Sequence, residues 1–342
     1  MLRPSGVFSE PTLYGKGKMN RRTAIQRLAT FFLTSASLAQ AQQAGKIFRI
    51  GYLDNSTASS MAGLLEVFWQ EMRKLGWIEG KNIIIEYRFG ERKRLPELAA
   101  DLVRLKVDLI VVPGGPSVLA AMKATTTIPI VMTNSSDPVG AGMVVSLARP
   151  GGNVTGFSSL NTELNTKRLE ILKDAVPKLL RVGLLRPPFV SDFQLKELRA
   201  AAVALKLKLE EIETQYDAQS LESAFQTVKK KQVKAIMTTS ASPFFAERKR
   251  IVELAVKYRL PAIYFQKEFV DEGGLMSYGV DYDDLFRKAA YYVDRILKGT
   301  KPADLPVQQA TKFEFVISLP AAKRIGYTVP YELLARANQV IK

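Results

Sequence analysis

The sequence has 342 residues, of which 47% are hydrophobic and 24% charged, as in a globular protein with enough apolar mass for two domains. It contains no cysteine and no histidine, which excludes disulfides, thiolate metal sites, Ser–His–Asp triads and histidine-based zinc motifs. The formal net charge is +16. The basic clusters at 229–231 and 248–250 lie on or beside predicted amphipathic helices without interleaved aromatic residues, so we expect solvated helix faces and no nucleic-acid partner.

The N-terminal 41 residues have the pattern of a targeting segment. Arg21 and Arg22 precede the modest apolar run Ala29–Ala39, and Ala39-Gln40-Ala41 fits the small-x-small rule for signal cleavage. Paired arginines before a weakly hydrophobic run are typical of twin-arginine export signals, although the Sec route remains an alternative. We therefore expect a signal peptide that is cleaved after Ala41 and a soluble protein in the periplasm.

Apolar strands alternate with amphipathic helices from Ile47 onward. The continuous apolar run Leu109–Val112 is typical of a parallel strand covered on both faces. A brief helical segment is predicted after Asp137. Strands are predicted in the first half at 47–53, 82–89, 109–112 and 128–132, and helices at 61–75, at 95–105 and after 113–117.

The second half repeats this plan. Residues 107–131 and 233–263 share the order strand, small-residue loop, helix and pre-strand proline, which indicates two similar lobes. Helices are predicted at 164–176, 195–205, 221–228, 246–258, 285–296, 321–325 and 331–341, and strands at 182–185, 209–212, 235–237, 262–265 and 313–317.

Three segments are predicted to cross between the lobes: Arg149–Gly156 (RPGGNVTG), Asp271–Asp281 (DEGGLMSYGVD) and the proline-bounded Lys301–Pro306. The predicted fold class is α/β, with two Rossmann-like parallel-sheet lobes joined by three crossover segments that act as a hinge. We expect an N-terminal lobe of residues 46–155 and 280–303, and a C-terminal lobe of residues 156–279 and 304–342.

Ligands bind beyond the carboxyl ends of the strands in open parallel sheets, so the strand-end loops are the candidate site. The alternative for each loop, taken singly, is that its polar residues serve only turns and helix caps. In that interpretation Asp137, before Pro138, is an N-cap. We expect no catalytic residue, metal or cofactor. The candidate ligand-binding residues are Asn55, Ser56, Gly115, Ser117, Asn134, Ser135, Asp137, Ser240, Ser242 and Asp281.

An amino acid or similar small carboxylate would suit these loops. Gly115, Ser117 and Ser135 can supply donors to a carboxylate, whereas Asp137, with Asp281 as a second candidate, can hold an ammonium group. The aromatic residues near the second crossing are equally suited to stacking on an apolar ligand or to core packing: Tyr264, Phe265, Phe269 and Tyr278.

Several stretches resemble signature segments of the ABC transporter substrate-binding protein family. The resemblance covers roughly Phe48 to Lys342 and is carried by residues 49–54 (RIGYLD), 75–91 (LGWIEGKNIIIEYRFGE), 95–112 (LPELAADLVRLKVDLIVV), 128–156 (IPIVMTNSSDPVGAGMVVSLARPGGNVTG), 268–281 (EFVDEGGLMSYGVD) and 311–330 (TKFEFVISLPAAKRIGYTVP). It implies a type I periplasmic-binding fold, a monomer, delivery of a small-molecule ligand to an ABC permease at the inner membrane, and relatives that bind aromatic amino acids.

Two other classes of function stay open at this point. Ligand-sensing regulators share the two-lobed fold, but they need a helix-turn-helix module before the first strand, and residues 1–46 contain no such pattern. An enzyme is disfavoured because the chain has neither histidine nor cysteine and shows no paired-carboxylate constellation.

Overall fold

The computed structural model describes residues 46–188, 190 and 192–342. The predicted targeting segment and its cleavage site after Ala41 lie outside these residues. No helix in the described ranges is long and apolar enough to cross a membrane.

The first lobe is built on a six-stranded sheet in the order β11-β5-β4-β3-β1-β2, in which every pairing is parallel. Its strands are β1 (Phe48–Asp54), β2 (Ile83–Phe89), β3 (Leu109–Val112), β4 (Ile130–Ser135), β5 (Val154–Ser158) and β11 (Gln308–Gln309). Its helices are α1 (Ala58–Lys74), α2 (Leu95–Arg104), α3 (Gly115–Ala124) and α10 (Tyr282–Leu297).

The second lobe is built on a seven-stranded sheet in the order β13-β12-β10-β9-β8-β6-β7, in which only the pairing of β10 with β12 is antiparallel. Its strands are β6 (Arg181–Arg186), β7 (Lys208–Glu213), β8 (Ala235–Thr238), β9 (Ala262–Tyr264), β10 (Met276–Val280), β12 (Phe313–Ser318) and β13 (Gln339–Ile341). Its helices are α4 (Asn161–Ala175), α5 (Asp192–Ala204), α6 (Ala218–Lys230), α7 (Ser242–Ala246), α8 (Arg248–Lys257), α9 (Glu268–Asp271), α11 (Leu319–Ile325) and α12 (Tyr331–Leu334). The predicted fold class, two lobes with mostly parallel sheets, is confirmed.

The apolar strands are covered on both faces. In β3, Leu109 and Val111 enter one buried cluster, whereas Ile110 and Val112 enter another. All four side chains are at most 1% exposed. Because successive strand residues point to opposite faces, this alternation shows helices packed on both sides of the sheet, as the continuous apolar run predicts.

The chain passes between the sheets after β5, after β10 and after β11. The first and third passages lie two to three residues beyond the segments predicted as crossings, whereas the passage after Val280 falls at the end of the predicted segment Asp271–Asp281. The glycine-rich segment 149–156 instead leads into β5, where Gly156 (φ +133°) pairs with Met132 of β4. A Cβ on Gly156 would stand 2.0 Å from the Met132 carbonyl oxygen, so glycine is needed here for close backbone approach within the sheet.

Two local predictions differ from the structure. The segment after Asp137 forms turns, with Gly142 at φ +67°, where we expected a brief helix. The C-terminal helix predicted at 331–341 stops at Leu334, because Asn338 bonds to the backbone of Phe315 and the chain continues as strand β13 beside β12. By contrast, the helix predicted at 246–258 is present as α8, Arg248–Lys257.

Candidate ligand-binding site

A cavity of about 270 Å³ lies where the carboxyl ends of the two sheets face each other. From the first lobe it is lined by Asn55, Met61, Leu64, Arg92, residues 113–116, Leu119, residues 134–137, Gly140, Ala141 and Met143. From the second lobe and the start of α10 it is lined by Val190, Ser240, Ala241, Ser242, Phe245, Phe265, Gln266 and Tyr282.

Seven of the ten predicted site residues line this cavity: Asn55, Gly115, Asn134, Ser135, Asp137, Ser240 and Ser242. The five from the first lobe come together because β1, β3 and β4 are neighbours in the first sheet, and their carboxyl ends form one edge. Ser240 and Ser242 follow β8 of the second sheet.

The other three lie outside the lining. Ser56 and Ser117 are buried behind it, and their hydroxyl oxygens have no hydrogen-bond partner in the described part of the chain. The Asp281 carboxylate accepts a hydrogen bond from the Asp284 amide at 2.8 Å and so caps α10.

The loops after β3 and β4 touch each other backbone to backbone. A Cβ on Gly114 would stand 3.0 Å from the Cα of Ser135. Gly115 begins α3 with φ +48°, a left-handed conformation that favours glycine. This glycine pair therefore allows the N-terminus of α3 to approach the cavity beside Asn134 and Ser135.

Asp137 is the acidic residue of the lining, and Arg92 is its basic residue. The Asp137 carboxylate accepts a hydrogen bond from the Gly140 amide at 2.8 Å, so it caps the turn that follows it. The Asp137 side chain therefore both caps this turn and lines the cavity. Arg92, in the 3-10 turn Arg92–Arg94 after β2, contributes a positive charge at the cavity.

Apolar side chains from both lobes form the remaining walls. Met61 and Leu64 of α1 face Phe245 of α7 and Phe265 across the cavity. By contrast, Tyr264 and Phe269 stack in the core with ring centroids 4.6 Å apart. Of the aromatic residues considered from the sequence, Phe265 lines the cavity and these two do not.

Comparison with known proteins decides the family. The sequence profile described as ABC transporter substrate binding protein matches residues 58–341. The chain belongs to this family. It is similar to a tyrosine-binding protein of Clostridioides difficile, with 28% identity over 262 residues, or 75% of each chain.

Two solved structures are similar over 86% of this substrate-binding protein and all of their own chains. A conserved domain protein from Vibrio cholerae is 28% identical with a TM-score of 0.78. An ABC domain from Streptococcus pneumonia, solved in complex with L-Trp, is 27% identical with the same TM-score of 0.78. The resemblance inferred from sequence is confirmed, and a family of substrate-binding proteins favours neither the enzyme nor the regulator alternative.

Three polar lining residues of this substrate-binding protein were missed from the sequence: Arg92, Gln266 and Tyr282. Gln266 directly follows Phe265 beyond β9, so the strand-end rule could have found it. It is 4% exposed, and its side-chain nitrogen is buried without a partner among the described residues. The same rule could have found Arg92, which lies three residues beyond β2, whereas Tyr282 begins a helix far along the chain and carried no local signal.

A buried carboxylate supports the loop that bears Asn55. Asp54 is fully buried and accepts hydrogen bonds from the Tyr52 hydroxyl and the Ser56 amide, both at 3.0 Å. Burial raises the pKa of Asp54 to about 6, although the hydrogen bonds from Ser56 and Tyr52 act in the opposite direction. The first-lobe edge of the cavity therefore rests on a carboxylate that titrates in mildly acidic solution.

Proposed function

We propose that this protein is the exported solute-binding component of an ABC importer, and that it captures an amino acid between its lobes and delivers it to a permease at the inner membrane. The observation that carries the proposal is the composition of the cavity. Among the described residues, one acid, one base and several amide and hydroxyl groups share it with apolar walls that include two phenylalanine rings.

An amino acid matches this lining group by group. Its ammonium group suits Asp137, the acidic side chain of the lining, and its carboxylate suits Arg92 and the donors at Gly115, Ser135 and Tyr282. A volume of about 270 Å³ lies just below the range of roughly 300–1,000 Å³ that is usual for drug-sized ligands, which favours a single small molecule.

The walls favour an apolar or aromatic side chain on that amino acid. Phe245 and Phe265 can pack against a ring by stacked or edge-to-face contact, and Met61 and Met143 adapt readily to its shape. The related Streptococcus structure contains L-Trp, and the Clostridioides difficile relative is named for tyrosine. These names support tryptophan and tyrosine as the first ligands to test.

Capture requires the lobes to close. We propose that the lobes divide close to the expected boundaries, with the passages after Ser158, Val280 and Gln309 serving as hinges. We also propose a monomer in the periplasm, exported through its N-terminal segment and cleaved after Ala41. N-terminal sequencing of the exported protein tests that cleavage, and a chain still beginning at Met1 or Met19 would contradict it.

A thermal-shift screen of the twenty amino acids tests the ligand. We expect tryptophan or tyrosine to raise the Tm in a concentration-dependent manner, because a ligand that binds only the folded state stabilises it. Isothermal titration then gives the Kd, and small-angle scattering with and without the ligand should show a smaller radius of gyration on binding. A Tm that no amino acid shifts would refute the proposed ligand class.

A further inference from the structure

Arg168 of α4 is a fully buried cation with uncharged partners. Its guanidinium donates to the Tyr278 carbonyl oxygen at 2.6 Å, to Asn165 Oδ1 at 2.8 Å and to Asn161 Oδ1 at 2.7 Å. Buried cations are ordinarily paired with an anion, but Arg168 makes no ion pair with an acidic side chain of the described ranges. Burial lowers its pKa only to about 10, so it stays charged at neutral pH.

This arginine fixes the orientation of the Asn161 amide. A guanidinium has donors and no acceptor, so the Asn161 oxygen must face Arg168 and the amide nitrogen must face away from it. The nitrogen donates to the Ser159 hydroxyl and to the Tyr282 hydroxyl, both at 2.8 Å. The Ser159 hydroxyl in turn donates to the Asn134 carbonyl oxygen at 3.0 Å.

The orientation of Asn161 then determines what Tyr282 can do. A phenol carries one proton, and because the Tyr282 oxygen accepts from Asn161, that proton must point elsewhere. Tyr282 lines the cavity, as does Ser240. The Tyr282 hydroxyl is therefore free to donate its proton into the cavity, to a ligand.

We propose that Arg168 and Asn161 are positioning residues that hold the Tyr282 hydroxyl as a hydrogen-bond donor to the carboxylate of the bound ligand. The inference rests on the proposed function, because it needs a ligand with a carboxylate. It places the carboxylate at the hinge side of the cavity, where Arg168, which makes no ion pair within the described ranges, lies behind Tyr282. The ammonium group then points towards Asp137.

We call the chain of hydrogen bonds from Arg168 through Asn161 to Tyr282 the relay. The substitution Asn161→Asp reverses its last hydrogen bond with minimal change of shape. The introduced carboxylate accepts from Arg168 and also from Tyr282, so the phenol proton turns away from the cavity. We expect the Kd for L-tryptophan or L-tyrosine to rise about ten- to a hundredfold, the loss expected for one hydrogen bond to a charged group. The Tm without ligand should not fall, because Arg168 gains an anionic partner.

Two further variants separate the relay from a general effect of charge or stability. Asn165→Asp also gives Arg168 a carboxylate but leaves Asn161 in place, so we expect a Kd within about threefold of the wild type. Tyr292→Phe removes a hydroxyl from α10, the helix that begins with Tyr282. The Tyr292 hydroxyl donates to the Pro306 carbonyl oxygen at 2.7 Å, and Tyr292 is not part of the described cavity lining. This substitution should lower the Tm and leave the Kd unchanged.

Tyr282→Phe completes the test. If Asn161 acts through the phenol proton, Tyr282→Phe should weaken binding as much as Asn161→Asp, and the double variant should be no weaker than either. Tryptamine, which keeps the indole and ammonium groups but has no carboxylate, should bind the wild type and both variants equally well.

The outcomes are distinguishable. A wild type that binds no amino acid overturns the proposed ligand class, and this inference with it. A wild type that binds, together with an Asn161→Asp variant of unchanged Kd or with additive losses in the double variant, overturns the relay alone and leaves the proposed function standing.

Discussion

Replacing the buried carboxylate Asp54 by asparagine should stabilise the protein at neutral pH. Asp54 is fully buried and accepts from the Tyr52 hydroxyl and the Ser56 amide. In Asp54→Asn the amide oxygen can still accept from Ser56, while the amide nitrogen donates to Tyr52, whose hydroxyl can accept as well as donate. The substitution thus keeps both contacts and removes only a charge.

The magnitude follows from the pKa of Asp54, which burial raises from 3.8 to about 6. Between these two values the folded protein holds a proton that the unfolded chain has lost, so stability falls as the pH rises through this window. Above about pH 6 the loss is complete and constant. A shift of about two pKa units corresponds to roughly 3 kcal/mol.

The assay is thermal or urea denaturation of the wild type and of Asp54→Asn from pH 4 to pH 8. We expect equal stability near pH 4 and a variant more stable by up to about 3 kcal/mol near pH 7, with the gap opening across pH 4–6. The difference between the two curves removes the contribution of all other titrating groups. A gap independent of pH, or a variant less stable than the wild type at pH 7, would refute the reasoning.

Five further substitutions, at four positions, test the site and the sheet. Asp137→Asn should weaken amino-acid binding by about 2–4 kcal/mol with little change in Tm, and Asp137→Ala should also lower the Tm. In contrast Asp281→Asn, at the α10 cap outside the cavity, should not change the Kd measured by calorimetry. Phe245→Leu should weaken L-tryptophan binding by about 1 kcal/mol or more in the same titration, and an unchanged Kd would remove Phe245 from the site. Gly156→Ala, whose Cβ would stand 2.0 Å from the Met132 carbonyl oxygen, should cost about 3 kcal/mol or more of unfolding free energy in urea denaturation. A Gly156→Ala variant that unfolds at the same urea concentration as the wild type would contradict the close approach.

The strands of the sheets could be predicted well from the sequence, because a buried strand is recognised from a few consecutive apolar residues. The run Leu109–Val112 is apolar at every position, and the structure buries all four side chains on both faces of the sheet. The passages between the lobes are harder to locate. Glycine at 156 looks like punctuation in the sequence, but in the structure it permits contact with Met132, a residue 24 positions earlier. No local pattern distinguishes these two uses of glycine.

The candidate site shows the same limit. Asn55, Asn134 and Ser135 could be predicted because each lies at or just beyond the carboxyl end of a parallel strand, and the sheet order makes those ends neighbours. Tyr282 could not be predicted in this way. Its role depends on Asn161, which is 121 residues away, and on the orientation that Arg168 imposes on that amide.

The position of the hydrogen bonds among Arg168, Asn161 and Tyr282 bears on how ligand binding is linked to closure of the lobes. Asn161 begins α4 immediately after the first passage between the sheets, and Tyr282 begins α10 immediately after the second. Residues at a hinge move little relative to each other during closure, whereas Asp137 and Phe245 stand on opposite lobes and must approach. In the proposed mechanism, a carboxylate held by Tyr282 is therefore bound in the open form and the closed form alike. The contacts that favour closure are then those with the rest of the amino acid, because only a difference in affinity between the two forms can shift their populations.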